Sequence, residues 1–249
     1  MDKILLVTGA SRGIGAATAL LAAESGYAVA VNYTANSLAA DEVVRRIRAA
    51  GGTAMAVQAD VAVEADVLTL FKKIDAKLGR LTALVNNAGV VDQASRVDAM
   101  DLARLQRMFA INVFGSFLCA REAIQRMSTR YPGGAGGAIV NVSSAAARLG
   151  APGQYVDYAA AKGAIDTFTI GLAKELAGEG IRVNAVRPGI IETEIHASGG
   201  LPNRARDLAP QVPMQRAGTA HEVAETIVWL LSEKSAYTTG ALLDVAGGR

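Results

Sequence analysis

Residues 8–15, Thr8-Gly9-Ala10-Ser11-Arg12-Gly13-Ile14-Gly15, join an apolar run at residues 3–8 to a helix pattern, rich in Ala and Leu, that ends at Gly26. The apolar run is typical of a buried strand. A strand, a glycine loop and a helix start in this order can hold a pyrophosphate, because glycines let the backbone approach and the first helical N–H groups face the phosphates. The spacing is Gly-xxx-Gly-x-Gly, not the commoner G-x-G-x-x-G, and a plain tight turn is the alternative.

Strand and helix patterns alternate along all 249 residues, without a linker-like composition or an internal repeat. This alternation predicts an α/β fold over 1–249, a single Rossmann-type domain with a doubly wound parallel sheet and helices on both of its faces. The other predicted strands lie at residues 27–32, 53–58, 81–85, 138–142, 181–186 and 241–245, and the other predicted helices at residues 36–50, 65–78, 102–127, 155–177 and 220–231.

Residues 190–215 lose this pattern and carry several prolines and glycines. A long irregular segment of this kind is often a lid, so we expect it to cover the substrate; a plain surface loop is the alternative. The segment contains Arg204 and Arg206, which could receive an anionic substrate or lie in water. It also contains His196, for which solvation is favoured over contact with substrate.

The composition excludes several classes of function. Hydrophobic residues make up 51% of the chain and charged residues 19%, which favours a large core over disorder. The formal net charge of +2 is too small and too dispersed for a nucleic-acid partner. The absence of a signal peptide and of an apolar run long enough to cross a membrane favours a cytoplasmic protein. Cys119 is the only cysteine, and His196 and His221 are isolated, so no metal site is expected.

Tyr158 and Lys162 lie four residues apart in the predicted helix at residues 155–177, and therefore on one face of it. An ammonium near a phenol favours the phenolate and lowers the pKa of the tyrosine from about 10 towards neutral pH. A phenol tuned in this way can take a proton from an alcohol or give one to a carbonyl. The pair alone is weak evidence, since this spacing also arises by chance.

Three further motifs accompany this pair: the glycine loop, the sequence Asn86-Asn87-Ala88-Gly89 after the fourth strand, and Ser144 after the fifth. In order and spacing they resemble the short-chain dehydrogenase/reductase family over nearly the whole chain. Within that family, the chain is most similar to 3-oxoacyl-carrier-protein reductases and to sugar and alcohol dehydrogenases, which these motifs do not separate.

The resemblance implies roles for four side chains. Tyr158 is expected to be the general acid/base, and Lys162 to lower its pKa and to hydrogen-bond the nicotinamide ribose. Ser144 is expected to bond the substrate oxygen as charge develops on it. The family's spacing between serine and tyrosine favours Ser144 over Ser143. Asn112 is expected to hold a water next to Lys162 in a proton relay.

The resemblance also implies a nicotinamide cofactor, and NADP is preferred. An NAD site usually has an acidic side chain about 20 residues beyond the glycine loop, but no Asp or Glu lies between Glu24 and Asp41. Arg12 can instead pair with a 2′-phosphate. Asp60 is expected at the adenine amino group and Thr193 at the carboxamide. The residues expected to contact the cofactor, besides Tyr158 and Lys162, are Gly9, Ser11, Arg12, Gly13, Ile14, Gly15, Asn32, Asp60, Val61, Asn86, Ala88, Gly89, Pro188, Gly189, Ile191 and Thr193.

The sequence therefore predicts an NADP(H)-dependent oxidoreductase that transfers a hydride between nicotinamide and a small carbonyl or secondary alcohol substrate, with reduction the favoured direction. A catalytically silent dinucleotide sensor is an alternative on the same fold, but such a protein would lose the tyrosine or the lysine. A methyltransferase with a similar nucleotide fold would have no use for either residue. The family is mostly tetrameric, and the apolar circumference of the helices at residues 102–127 and 155–177 favours a homotetramer.

Overall fold

The computed structural model describes residues 3–195 and 199–249, and a parallel sheet of seven strands forms its centre. The seven strands are β1 (Ile4–Val7), β2 (Ala28–Tyr33), β3 (Ala54–Gln58), β4 (Ala83–Asn86), β5 (Gly137–Val142), β6 (Ile181–Pro188) and β9 (Leu242–Val245). Their order in the sheet is β3-β2-β1-β4-β5-β6-β9. Each predicted strand is present, and the prediction of a Rossmann-type α/β fold is confirmed.

Helices cover both faces of this sheet. On one face lie α1 (Gly13–Glu24), α2 (Ser37–Ala49) and α9 (Ala220–Leu231), and on the other lie α3 (Glu64–Lys77), α5 (Gly115–Met127) and α7 (Val156–Leu176). Strand β1 is buried along its whole length because of this double cover. Leu5 and Val7 pack into the core on the first face, and Ile4 and Leu6 into the core on the second.

The helix predicted at residues 102–127 is interrupted. It consists of α4 (Leu102–Phe109), a π-helical turn at Ala110–Phe114, and α5. A π turn is rare and usually occurs at a functional position. The turn contains Asn112, whose side chain bonds to a loop that follows β4 rather than to solvent.

The segment at residues 190–215 contains more regular structure than its sequence indicates. Strand β7 (Ile191–Glu192) pairs in parallel with β8 (Gly218–Thr219), and a short helix α8 (Arg204–Leu208) leads into a 3₁₀ turn at Ala209–Gln211. His196 lies outside the described residues. The role of this segment as a lid stays a prediction.

A further short helix, α6 (Ala146–Leu149), follows β5 and has no counterpart among the predicted elements. It begins two residues after Ser144, at the edge of the sheet that forms the site.

The position of the site follows from the strand order. β1 pairs with β2 on one side and with β4 on the other, so the chain leaves these central strands in opposite directions. This reversal opens a crevice at the carboxyl ends of the strands, which is where ligands bind in open α/β sheets. The glycine loop after β1 and the motif Asn86-Asn87-Ala88-Gly89 at the end of β4 meet there.

Candidate active site

A cavity of about 880 Å³ opens at this edge, which is within the usual size of a ligand site, about 300–1,000 Å³. It extends from the glycine loop and the end of β2 to the first turns of α7 and the segment after β6. Most of the residues predicted from the sequence line it, namely Gly9, Ser11, Arg12, Gly13, Ile14, Asp60, Val61, Ala88, Gly89, Ser144, Tyr158, Lys162, Pro188, Gly189, Ile191 and Thr193. Four other predicted residues are not among those that line the cavity, namely Gly15, Asn32, Asn86 and Asn112.

The start of α1 is built to receive an anion. Arg12 precedes the helix in an extended conformation, with φ −157° and ψ 173°, and its side chain makes no capping hydrogen bond. The first turn of α1 carries no acidic residue. Gly9 and Gly13 adopt left-handed backbone with φ +62° and +55°, which curls the loop around the helix start. These residues fit a pyrophosphate, since uncapped N–H groups and the positive end of the helix dipole attract phosphate.

Asn32 fixes the glycine loop. It is 1% exposed, and its Oδ1 accepts a hydrogen bond from the Gly9 N–H at 3.1 Å. Its amide nitrogen donates to the carbonyl oxygens of Val57 and Ala59. These bonds join the loop to β3, and the predicted contact of Asn32 with the cofactor stays a prediction.

Asn86 is also a framework residue. It is buried, and its amide nitrogen donates to Asn141 Oδ1 at 2.9 Å and to the Ser116 carbonyl oxygen at 3.3 Å. These bonds link β4 to β5 and to α5. Its Oδ1 is buried without a hydrogen-bond partner, and its predicted contact with the cofactor stays a prediction.

The next residue, Asn87, does line the cavity, although the sequence did not single it out. Its amide nitrogen donates to the carbonyl oxygens of Thr8 and Gly9, at 2.8 and 3.0 Å. Gly15 makes room for this amide, since a Cβ on Gly15 would lie 2.5 Å from Asn87 Nδ2. Gly15 is therefore required for close packing, and its predicted contact with the cofactor is replaced by this role.

The opposite end of the cavity is formed by the residues that follow β2 and β3. Thr34 and Asn36 line it beside Asp60 and Val61, and neither had been expected there. Their position directly after β2 is a signal that could have found them, because the carboxyl end of that strand faces the ribose in this fold. Asp60 Oδ1 accepts a hydrogen bond from the Ala62 N–H, which fixes the carboxylate.

Tyr158, Ser144 and Lys162 meet at the other end of the cavity. Tyr158 is half-buried in the wall of the cavity, and burial raises the pKa of its phenol to about 12, while a hydrogen bond with Ser144 acts in the opposite direction. The expectation that Lys162 brings the pKa of Tyr158 below its ordinary value is therefore wrong for this geometry. The cause is burial, because a phenolate is unfavourable in a poorly solvated site.

Lys162 lies close enough to Tyr158 to respond to its charge. Its Nζ is 5.6 Å from the centroid of the phenol ring and donates to the Val142 carbonyl oxygen at 2.7 Å. Burial lowers the pKa of Lys162 to about 8, and the negative charge of Asp166 partly opposes this shift. At neutral pH the side chain is therefore mainly an ammonium held beside the phenol.

The two neighbouring serines have different surroundings. Ser144 lines the cavity and is hydrogen-bonded to Tyr158, whereas Ser143 is 2% exposed and donates to Asp166 Oδ1 at 2.6 Å. Asp166 in turn pairs with Arg187. Ser143 therefore belongs to a buried polar network under Lys162, and Ser144 is the serine that can reach a substrate oxygen.

The side chain of Asn112 bonds to the backbone around it. Its Oδ1 accepts from the Val90 N–H at 3.2 Å, and its amide nitrogen donates to the carbonyl oxygens of Val90 and Met108, both at 3.0 Å. These bonds tie the π turn to the cavity wall, where a Cβ on Gly89 would lie 2.8 Å from Asn112 Oδ1. That Asn112 holds a water beside Lys162 stays a prediction.

Taken together, the fold and the cavity define a dinucleotide-binding protein of the Rossmann type. Among the described residues, no cluster of three or more His, Cys, Asp or Glu side chains could hold a metal ion.

Comparison with known proteins identifies the family. The sequence model described as enoyl-(acyl carrier protein) reductase matches residues 9–249. The chain is 56% identical over 246 residues to the uncharacterized oxidoreductase YgfF of Escherichia coli, with 99% of each chain covered. It is 42% identical over 247 residues to a 3-oxoacyl-[acyl-carrier-protein] reductase of Synechocystis, covering 99% of this chain and 96% of the relative. A solved short-chain dehydrogenase of Burkholderia cenocepacia in complex with NADP superposes with a TM-score of 0.90 at 32% identity, covering 99% of this chain and 97% of that one.

The chain belongs to the short-chain dehydrogenase/reductase family of oxidoreductases. The resemblance inferred from its motifs is confirmed.

Proposed function

We propose that this protein is an NADP(H)-dependent oxidoreductase that transfers a hydride between the nicotinamide and a carbonyl or secondary alcohol carbon, with Tyr158 as the general acid/base. The observation that carries this proposal is the meeting of Tyr158, Ser144 and Lys162 in the cavity that begins at the glycine loop. A phenol, a hydroxyl and an ammonium are what a carbonyl oxygen needs as it takes up negative charge.

In the reductive direction, Ser144 donates a hydrogen bond to the carbonyl oxygen and holds it within reach of Tyr158. A nicotinamide cofactor held along the glycine loop would supply the hydride for the carbonyl carbon. Tyr158 gives its proton to the oxygen, so that the C=O bond becomes CH–OH and the phenol becomes a phenolate. Lys162, 5.6 Å from the ring centroid, stabilises that phenolate until it is reprotonated.

The protonation of Tyr158 is compatible with this direction. With a pKa raised to about 12, Tyr158 is protonated at neutral pH and is ready to act as an acid. Oxidation of an alcohol would use the same groups in reverse, with Tyr158 as the base. The proposed preference for NADP, and not this pKa, favours reduction as the main direction.

The preference for NADP rests on the phosphate end of the cavity. Arg12 lines this end and forms no ion pair with a described residue. The residues that line the cavity at the end of β2 include no carboxylate, whereas an NAD site usually has one there. A guanidinium here pairs well with a 2′-phosphate. The related Burkholderia structure is a complex with NADP, which agrees with this proposal. No observation favours the alternative of a silent sensor.

The test compares wild type with Tyr158→Phe over a panel of ketones, 3-oxoacyl thioesters, quinones and sugars, followed by the absorbance of NADPH. The variant keeps the ring and removes the proton donor, so we expect turnover to fall by about 10²–10⁴-fold with NADPH binding retained. The matched control is Tyr155→Phe, since Tyr155 also lines the cavity but has Ala159 where a lysine partner would be. Equal turnover by wild type and Tyr158→Phe would refute the assigned role.

The proposed assembly is a homotetramer. Phe117 on α5 stacks on Phe168 of α7 at 3.8 Å between ring centroids, yet Phe117 is 48% exposed and Phe114 nearby is 57% exposed. Such apolar exposure suits a face covered by another copy of the chain. Light scattering coupled to size-exclusion chromatography measures the mass of the assembly.

Within the described residues, no helix combines the length and the apolar character needed to cross a membrane. The proposed location is the cytoplasm.

A further inference from the structure

Two arginines line the substrate end of the cavity without a carboxylate partner among the described residues. The guanidinium of Arg204 lies over the ring of Tyr155, 5.1 Å from its centroid. It forms no ion pair with a described residue. Arg249 also lines the cavity, and its Nη1 is shielded from water with no hydrogen-bond acceptor. An unpaired buried guanidinium nitrogen is unfavourable, because it loses water without gaining a partner.

Both arginines line the cavity that contains the reacting groups. Tyr155, under Arg204, precedes α7 and comes three residues before Tyr158. The main chain of Arg249 is held against α6, where Arg148 Nη2 donates to its carbonyl oxygen at 3.0 Å. The two side chains therefore reach the cavity of Tyr158 and Ser144 from different elements of the fold.

The carboxylates among the described lining residues lie elsewhere. They are Asp60, which follows β3 at the adenosine end, and Glu194, whose Oε2 lies 3.8 Å from the position of a Cβ on Gly13 in the glycine loop. The positive charges of two other arginines in this region are neutralised by ion pairs, since Arg187 pairs with Asp166 and Arg148 pairs with Asp244. Among the described residues, neither Arg204 nor Arg249 forms an ion pair with an acidic side chain at the substrate end.

We propose that the substrate carries a carboxylate, which pairs with Arg249 and Arg204 while its carbonyl group lies against Ser144 and Tyr158. This inference rests on the proposed function and names the substrate class as keto acids and the corresponding hydroxy acids. The planar guanidinium suits a carboxylate, because two N–H groups can bond its two oxygens together.

The other residues at this end of the cavity indicate the chemical character of the rest of the substrate. Its walls are apolar, with Leu149, Pro152, Ile190 and Ile195 among the lining residues. This environment favours a hydrocarbon body between the carboxylate and the carbonyl over a sugar phosphate. Arg206, the other candidate from the sequence, is excluded, since it is exposed and paired with Asp207.

The test uses keto acids such as levulinate, each beside its uncharged methyl ester, with NADPH as reductant. We expect wild type to prefer the acid by at least about tenfold in kcat/KM. Arg249→Gln and Arg204→Gln should each lower kcat/KM for the acid by about 10- to 100-fold, mainly through KM, and leave the ester unchanged. Arg206→Gln is the matched control and should change neither substrate. A wild type that prefers the ester, or variants that lose acid and ester equally, would overturn the proposal.

A second measurement does not depend on turnover. Binding of pentanoate to the NADP⁺-loaded protein, followed by ligand-observed NMR, should be present in wild type and Arg206→Gln and lost in Arg249→Gln. Arg249→Lys, which keeps the charge, should recover part of it. If the protein reduces no carbonyl compound, the proposed function fails. The binding of pentanoate then still tests, independently of turnover, whether the site recognises a carboxylate. Absent binding, or equal binding by wild type and Arg249→Gln, would contradict it.

Discussion

Gly15→Ala tests whether the close packing behind the glycine loop holds the site together. The added methyl group would lie 2.5 Å from Asn87 Nδ2, 2.6 Å from the Gly9 carbonyl oxygen and 2.9 Å from Ala10 Cα. Two of these three atoms belong to the backbone and cannot rotate away. The loop must therefore move relative to α1, and Asn87 must give up at least one of its bonds to the carbonyl oxygens of Thr8 and Gly9.

The cost follows from these contacts. Overpacking costs about 1–3 kcal/mol, and a lost buried hydrogen bond about 1–3 kcal/mol more. The better helix propensity of alanine returns up to about 1 kcal/mol. The net loss in the free energy of unfolding is thus about 3 kcal/mol, which lowers Tm by about 10 °C for a chain of this length. Since the same loop receives the pyrophosphate in our proposal, the Kd for NADPH should rise at least about tenfold.

The assay is thermal unfolding at one fixed protein concentration, with and without NADPH, together with a fluorescence titration of NADPH. The control is Gly178→Ala in the turn at Ala177–Glu179 after α7, where an added Cβ meets no atom within 4 Å. The same chemical change should there leave the stability unchanged or raise it by about 0.5–1 kcal/mol. If Gly15→Ala melts within about 2 °C of wild type, the short contacts do not govern this loop and the reasoning is refuted.

Three further predictions concern the site itself. Ser144→Ala should lower kcat/KM by about 10²–10³-fold, whereas Ser143→Ala should mainly lower the free energy of unfolding by about 1–3 kcal/mol, and steady-state kinetics with denaturation curves will separate the two. Lys162→Met should abolish turnover yet raise the free energy of unfolding at pH 7 by about 3 kcal/mol. The reason is that the pKa of Lys162 is lowered from 10.5 to about 8, so wild type gains stability as the pH rises from 8 to 10.5 and the variant does not. Melting curves at pH 7 and pH 10 will measure this difference. Arg12→Gln should weaken NADPH binding by about 10- to 100-fold and leave NADH binding unchanged in parallel titrations; equal losses for both would contradict the assigned phosphate contact.

The fold could be predicted because its signals are local. The apolar run of β1 and the glycine loop identify the first βα unit, and the alternation of patterns continues from there. The ends of the strands and helices were predicted less accurately. For example, β4 was predicted at residues 81–85 and occupies Ala83–Asn86. The π turn could not be predicted, since the bonds that hold Asn112 lead to Val90, 22 residues away.

The site was predicted in its residue types more accurately than in their contacts. A motif shows that a position is constrained, but not whether its side chain faces the ligand or the framework. Asn32, Asn86 and Asn112 are all buried and bond to backbone or to another asparagine, so their amides hold the walls of the cavity. The pKa of Tyr158 was predicted in the wrong direction for a related reason, because burial depends on the whole fold and spacing on one helix does not.

The direction of these two pKa shifts bears on how the site could accelerate a reaction. Burial raises the pKa of Tyr158 and lowers that of Lys162, so it disfavours charge on both groups. A phenolate beside an ammonium arises only as the proton moves to the substrate. In a poorly solvated site their attraction is then much stronger than it would be in water. Asp166 is largely committed to Arg187 and Ser143, so it supports the ammonium without neutralising it. In the mechanism we propose, the charge of Lys162 is kept for the moment when Tyr158 becomes negative, and an interaction that strengthens in the transition state is the kind that raises kcat.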